Sequence, residues 1–508
     1  MVREVLTRGI LVAHSLATSV DYLCVMQGLL DETLTQSGLS QYTKFPEGFT
    51  FGVATAAHQI EGAWNVSDIA CDSYNRYRED VEELVYLGVD FYRFSLSWAR
   101  ILPTGRIDQV NPDGIRYYKE LLDALAENNI EPLVTLFHWD LPQTLQDLGG
   151  WANPRMIDYF YDYADLCYRE FGDRIKSWIT FNEPYEICED AYGDDKKAPA
   201  IDSHGVGNYL CSDTLLKAHA EAYHLYNETY RPKQNGNIMI SINSIWYEPS
   251  DPANAEQVAL AEVANQFKFG WFAHPIFTEE GGYPAAMIEN VALQSSAEGL
   301  PRSRLQQFDN YWIERIKGTS DFLGINHYTT HLITGPGVDP VAKSPSWLKD
   351  IGAVVPTGFA NLLRWCKSSY NDPPIYITEN GFSDRGTLED YGRIKYFNVS
   401  QIDDSERFGF YYVNITDPER PRTAKLSADY YKQLCATREL PQDERFKDPA
   451  LRTLSLCCAA PGGSTIPCEP PLSFQNRLNP LKIVANGLQV FARTSDSRCP
   501  FYTASSNK

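Results

Sequence analysis

The sequence contains no run of roughly 18 or more apolar residues, so no helix is expected to span a bilayer. Basic residues are scarce. Lys and Arg number 45 against 66 Asp and Glu, a net charge of −21 with a pI near 4.9. Such a surface repels phosphate backbones and anionic headgroups, which argues against a nucleic-acid partner and against docking on acidic membranes. No Cys-x-x-Cys pair occurs, the adjacent Cys457-Cys458 is not a zinc spacing, and no other stretch has metal-ligand spacing. The 11 cysteines are odd in number, five of them follow residue 430, and their connectivity is not legible. No internal repeat is present.

What is present is ample apolar material. Hydrophobic residues make up 43% of the 508, enough for a large core and too many for a mostly disordered chain. That length divides into about three average domains, or into one large α/β barrel with insertions. Aromatics reach 13%, which suits core packing and equally suits stacking on the flat C–H faces of sugars. At the N-terminus, Arg3 and Arg8 precede the apolar Gly9-Ile-Leu-Val-Ala13, which loosely resembles a secretory signal, but His14 and Ser15 interrupt it. Localisation stays open between secretory and cytoplasmic. Asn-x-Ser/Thr sequons at Asn65, Asn227, Asn398 and Asn414 are no more than a chain this long carries by chance.

Residues 1–44 lack a clear period and read as an extension or imperfect signal region. From residue 45 to 434, short apolar runs alternate with helical stretches. The runs are Phe51 to Thr55, Gly88 to Trp98, Pro132 to Trp139, Trp178 to Glu183, Ile238 to Asn243, Asp321 to Asn326 and Pro374 to Glu379. Between them, Glu79 to Leu87 and Tyr117 to Asn128 carry apolar residues three and four apart. This alternation predicts a parallel sheet with right-handed crossovers. The runs end in polar residues, as barrel strands do on their active face: Arg93, His138, Asn182, Glu183, Asn326 and Glu379. The expected fold class is α/β, a (β/α)8 barrel. Residues 435–508, rich in Pro, Gly, Ser and Cys, read as a poorly ordered tail or small appendage.

Two carboxylates stand out. Glu183 lies in Thr180-Phe-Asn-Glu-Pro184 and Glu379 in Ile377-Thr-Glu-Asn-Gly381. Each ends an apolar run, where it could cap or salt-bridge the strand end. Alternatively the two face each other across a glycosidic bond, one as proton donor and one as nucleophile.

The ordered set of motifs decides between these. Phe45-Pro-Glu-Gly-Phe49, Gln59-Ile-Glu-Gly-Ala63, Tyr92-Arg-Phe-Ser95, His138-Trp-Asp-Leu-Pro142, Thr180-Phe-Asn-Glu-Pro184, Gly270-Trp-Phe-Ala-His-Pro-Ile-Phe277, Asp321-Phe-Leu-Gly-Ile-Asn-His-Tyr328 and Ile377-Thr-Glu-Asn-Gly381 follow one another. In that order they resemble glycoside hydrolase family 1, the β-glucosidase family that also contains lactase-type and klotho-type animal proteins. The resemblance implies a retaining β-glycosidase with no cofactor and no metal, acting on a small or oligosaccharide β-glycoside. It implies Glu183 as acid/base and Glu379 as nucleophile. It places Gln59, His138, Asn182 and Tyr328 on the sugar, Tyr328 also against the nucleophile, with Arg93 and Asn326 supporting the nucleophile. Because thioglucosidases of plants in this family lack the acid, Glu183 points to an O-glycosidase. Trp98 and Trp139 fit either a pocket wall or the core. His219 and His274 read as structural. Oligomeric state is not legible.

Three departures from the family are visible. The loop between Glu61-Gly-Ala-Trp64 and Asp68-Ile-Ala-Cys-Asp72 is nearly gone. Thr357 stands where an aglycone-stacking Trp is common. Most seriously, after residues 391–397 the chain passes through Asn398 to Glu406 directly into Arg407-Phe-Gly-Phe-Tyr-Tyr-Val413, so the eighth strand and its sugar-gripping Glu-Trp pair are missing. Only seven barrel strands are expected, leaving two unpaired edges. Both gaps have the form of skipped coding segments. A klotho-type scaffold, catalytically impaired and kept for binding a sugar or a partner, is the alternative that the third departure favours.

Overall fold

The computed structural model describes residues 10–13, 44–45, 48–62, 71–333, 335, 359–380, 409–414 and 417–439. The shortened first loop, Thr357, residues 391–406, the sequons at Asn65 and Asn398, and the tail after 439 lie outside them.

Eight parallel strands close into a barrel in chain order. They are β1 (Ile10–Ala13), β2 (Thr50–Ala54), β3 (Phe91–Ser95), β4 (Glu131–Phe137), β5 (Ser177–Asn182), β6 (Asn237–Pro249), β7 (Phe322–Ile333) and β8 (Ile375–Glu379). The seven runs read from sequence are β2 to β8. The expected gap between β8 and β2 does not stay open. The N-terminal segment that resembles a signal occupies it. Ile10 to Ala13 pair with Thr50 to Val53 on one side, and Ile10 and Leu11 pair with Tyr376 and Ile377 on the other. The sequence Ile-Leu-Val-Ala is a continuous apolar run, the pattern of a strand in a parallel sheet covered on both faces. A closed barrel has no edge, so the unpaired donors and acceptors of a seven-strand sheet are satisfied.

Inside the barrel, Phe91, Leu133, Ile179, Met239 and Tyr376, from five different strands, form a compact apolar plug. Gly52 has to be glycine, because a Cβ there would sit 2.4 Å from the Phe91 ring. The larger core lies between the strands and the surrounding helices. Trp98 belongs to it. Fully buried, it stacks on Tyr163 with centroids 4.6 Å apart and packs against Trp151 and Phe160, so it is a core residue and no pocket wall.

The Leu426–Thr437 helix passes the sequence-based boundary at residue 434 and belongs to the barrel unit. Its Tyr431 hydroxyl donates to the Gly52 carbonyl at 2.7 Å, and Arg438 grips both oxygens of Asp90. A disulfide joins Cys188 to Cys211, while Cys71, Cys167, Cys366 and Cys435 are buried thiols. No helix among the described residues is long and apolar enough to cross a membrane.

Because β1 is paired on both sides, a proline inside it must orphan a ladder partner. Leu11→Pro is expected to cost at least about 1–3 kcal/mol and to lower the thermal midpoint by several degrees. A variant that melts with the wild type contradicts the pairing.

Candidate active site

The polar residues that the sequence places at strand ends converge at one rim of the barrel, directly above the apolar plug. Arg93 is the hub. Its guanidinium leaves β3 only 1% exposed and donates to Glu379 Oε1 at 2.5 Å, Asn182 Oδ1 at 2.6 Å, Thr135 Oγ1 at 3.3 Å and the Thr378 carbonyl at 2.9 Å. One cation so ties together β3, β4, β5 and β8. A buried charge with this many partners is strongly oriented, since any lost contact leaves it desolvated and unpaired.

Glu379 receives a second donor on its other oxygen, the Tyr328 hydroxyl at 2.6 Å. Both donors favour the ionised carboxylate. Glu183 sits opposite, one residue beyond β5, and its N–H donates to the Ser241 carbonyl at 2.8 Å. Its φ of 54° is left-handed, a rare state for a residue with a Cβ. Pro184 follows at the first position of the Pro184–Tyr192 helix, where its missing N–H costs nothing. The turn throws the Glu183 side chain inward. Buried to 6% exposure and facing Glu379 and Glu186, it is pushed up to about 8, with Lys197 and an amide from Asn326 pulling the other way. The two carboxylates therefore differ: one is held ionised by a guanidinium and a phenol, the other is held protonated near neutral pH by burial and by its neighbours.

Asn326 was expected beside the nucleophile. It lies in register with Glu379 across β7 and β8, and its amide reaches the other carboxylate, Glu183. Its Oδ1 accepts from Ser241 at 2.8 Å and Thr378 at 2.7 Å, so its Nδ2 must face Glu183 Oε1, 2.8 Å away, and Asn182 Oδ1, 3.0 Å away. Asn182 Oδ1 thus accepts from both Arg93 and Asn326, which turns its own Nδ2 toward His138 Nε2 at 2.9 Å. An amide donor there requires His138 to present Nε2 as an acceptor, the neutral tautomer with the proton on Nδ1. The chain Arg93, Asn182, Asn326 physically links the two glutamates.

Gln59 lies half-buried on the Ala57–Ile60 turn that follows β2, at the same rim. Trp139, also half-buried and packed on the edge of the core, takes a φ of 80° and donates from Nε1 to the Asn182 carbonyl at 3.1 Å. His219 is buried against Thr180 and His274 faces the Gly282 carbonyl, as structural histidines do. Among the described residues no group of three or more His, Cys, Asp or Glu could hold a metal ion.

Sequence reasoning missed two sets of residues. Ser241, an ordinary strand residue, and Thr378, inside the Ile377-to-Gly381 motif but given no role there, fix the Asn326 amide. Glu186, Asp190, Lys197 and Lys268 form a charged cluster behind Glu183. Glu186 could have been found from its place one helical turn after Glu183, but Lys268 lies 82 positions away.

A closed parallel barrel whose rim carries two unlike carboxylates wired through one guanidinium defines a (β/α)8 enzyme of the two-carboxylate kind. The profile of glycosyl hydrolase family 1 matches residues 41–67 and 65–404. The chain is 41% identical over 473 residues to human lactase/phlorizin hydrolase, covering 79% of this chain and 24% of that protein, so it spans about a quarter of that relative's length. Among solved structures, an aphid myrosinase superposes with a TM-score of 0.73 at 38% identity, over 78% of this chain and all of the other. A rice β-glucosidase, solved as a mutant in a covalent complex with Glc, gives 0.68 at 32% identity, over 77% of this chain and 98% of the other. The chain belongs to glycosyl hydrolase family 1 and is of its β-glucosidase type.

The Cys188–Cys211 bridge pins the Pro184–Tyr192 helix, which follows Glu183, to the Gly207–Leu225 helix. Replacing both cysteines by serine is expected to cost about 2–4 kcal/mol. Peptide mapping without reduction should recover the two peptides joined. Recovery of both as free thiols from oxidised protein contradicts the pairing.

Proposed function

We propose that this chain is a retaining β-glycosidase that hydrolyses terminal β-D-glucosidic bonds by double displacement. The observation that carries the reading is the division of labour between the two glutamates: Glu379 between Arg93 and Tyr328, Glu183 raised to about 8 by burial and by the facing carboxylate. In the first step Glu183 donates its proton to the glycosidic oxygen while Glu379 attacks the anomeric carbon. The C–O bond breaks, the aglycone leaves as an alcohol, and a glycosyl ester forms on Glu379. That ester carries no negative charge, so Glu183 loses one of its raising neighbours and ionises more readily. In the second step Glu183 takes a proton from water, the water oxygen attacks the same carbon, and Glu379 is released. Attack from opposite sides in turn retains the β configuration.

Asn182, held rigidly by Arg93 and Asn326, bonds the sugar 2-hydroxyl, and Gln59 and His138 hold the 3- and 4-hydroxyls. Nothing in this scheme calls for a metal or cofactor. The covalent Glc complex of the rice relative supports the ester intermediate. The missing Glu-Trp pair after residue 397 favours a second reading, a klotho-type scaffold that binds sugar or a partner with little turnover.

A 2-fluoro-glucoside with a good leaving group separates the two. The enzyme reading predicts a covalent adduct on Glu379 by mass spectrometry, and a Glu183→Ala variant whose activity on an aryl glucoside with a good leaving group is partly restored by azide. A chain that melts cooperatively yet gains no label is a scaffold.

A further inference from the structure

Behind Glu183 lies a cluster of four charges that no step above uses. Glu186 stands on the first turn of the Pro184–Tyr192 helix, three residues beyond Glu183. Its carboxylate accepts from Asn243 Nδ2 at 2.6 Å and from Lys268 Nζ at 3.1 Å, and pairs with Lys197. Lys197 also reaches Asp190 at 3.2 Å, and its ammonium lies 4.2 Å from the centre of the Trp139 ring. Lys268 is 3% exposed, 3.2 Å from the centre of the Tyr185 ring, in a π-helical turn (Gln266–Gly270) between two α-helical segments. Such turns cluster at functional sites. A fully buried ammonium is a poor stabiliser of a fold. Its placement is explained if the carboxylate it serves has to be kept ionised.

We propose that Glu186 and Lys197 are opposed positioning residues for Glu183, holding the proton on its carboxyl by the balance of their charges, with Lys268 keeping Glu186 ionised and aimed. The proposal rests on Glu183 being the acid/base. Among the described residues, the charged groups around Glu183 oppose one another in pairs. Glu379 from β8 is offset by Arg93 from β3 and bonded by Tyr328 from β7. Glu186 and Asp190 from the helix are offset by Lys197 from the following loop and Lys268 from the π-turn. His138, just past β4, accepts from Asn182, and His331 from β7, beside Lys268, is pushed toward its neutral form by burial. Burial alone would raise Glu186, yet Lys268 and Lys197 hold it well below the usual carboxylate range. Glu186, on the turn that follows Glu183, is thus a fixed negative charge that raises the Glu183 carboxyl, and Lys197, paired with Glu186 and seated on the Trp139 ring, is the positive charge that tempers it.

The test is the titration of Glu183 in Glu186→Gln and Lys197→Met, followed two ways. One is the alkaline limb of kcat/KM on an aryl β-glucoside. The other is the 13C signal of the Glu183 carboxyl in labelled protein, assigned with Glu183→Gln. Glu186→Gln should move both to lower pH and Lys197→Met to higher pH, each by about one pH unit, while Lys197→Arg restores the wild-type position. Shifts in the same direction, or limbs that stay in place while kcat falls, would overturn the proposal. If the wild type hydrolyses nothing, the enzyme reading fails, and the carboxyl titration still decides whether these charges govern Glu183.

Discussion

The site depends on one buried guanidinium. Arg93 cannot be left unpaired in the barrel, so the residues around it are constrained to supply acceptors. Glu379 supplies one, and is thereby kept ionised. Asn182 supplies another, and its amide is thereby turned so that its N–H side faces His138. That orientation leaves one further acceptor site on Asn182, which Asn326 fills, and the second N–H of Asn326 reaches Glu183. The Glu379 ion pair, the orientation of the Asn182 amide and the tautomer of His138 follow from this one charge, while Ser241 and Thr378 fix the Asn326 amide and burial beside Glu379 and Glu186 raises Glu183. Such wiring suits a reaction in which positive charge develops on the sugar between the two glutamates, because fixed dipoles need no reorganisation at the transition state.

The second constraint is closure. A sheet with seven strands exposes two rows of backbone groups and splays the rim on which the site is built. Segment Ile10–Ala13 takes the eighth place, beside β8, the strand that ends in Glu379. A four-residue strand is short, and it pairs at only two positions with β8. Stability of the barrel and position of Glu379 are in this way coupled to a segment whose composition also resembles a leader.

The barrel class, and the polar residues that gather at its rim as a candidate site, were legible because both rest on local patterns. Apolar runs ending in polar residues mark β2 to β8, and Glu183, Glu379, Arg93, His138 and Asn182 each sit at such an end. Two kinds of information were not legible. Contacts across the barrel join residues far apart in sequence, which is why the bond from Asn326 to Glu183 was not foreseen and Lys268 was missed. Burial is set by the whole packing, so Trp98, at a strand end like Trp139, could not be told from a pocket wall until its stack on Tyr163 was seen. The eighth strand was illegible for a related reason: a run of four apolar residues carries no sign of which edges it will bridge.

The most direct measurement is the acid limb of kcat/KM in Arg93→Met, taken alongside a melt that shows the variant folded. With the guanidinium gone, the Glu379 carboxylate is buried without its cation and takes up a proton more readily, so the limb is predicted to move to higher pH by about one unit or more. An acid limb in the wild-type position would mean that Glu379 does not depend on Arg93, and that the site is organised by something other than this charge.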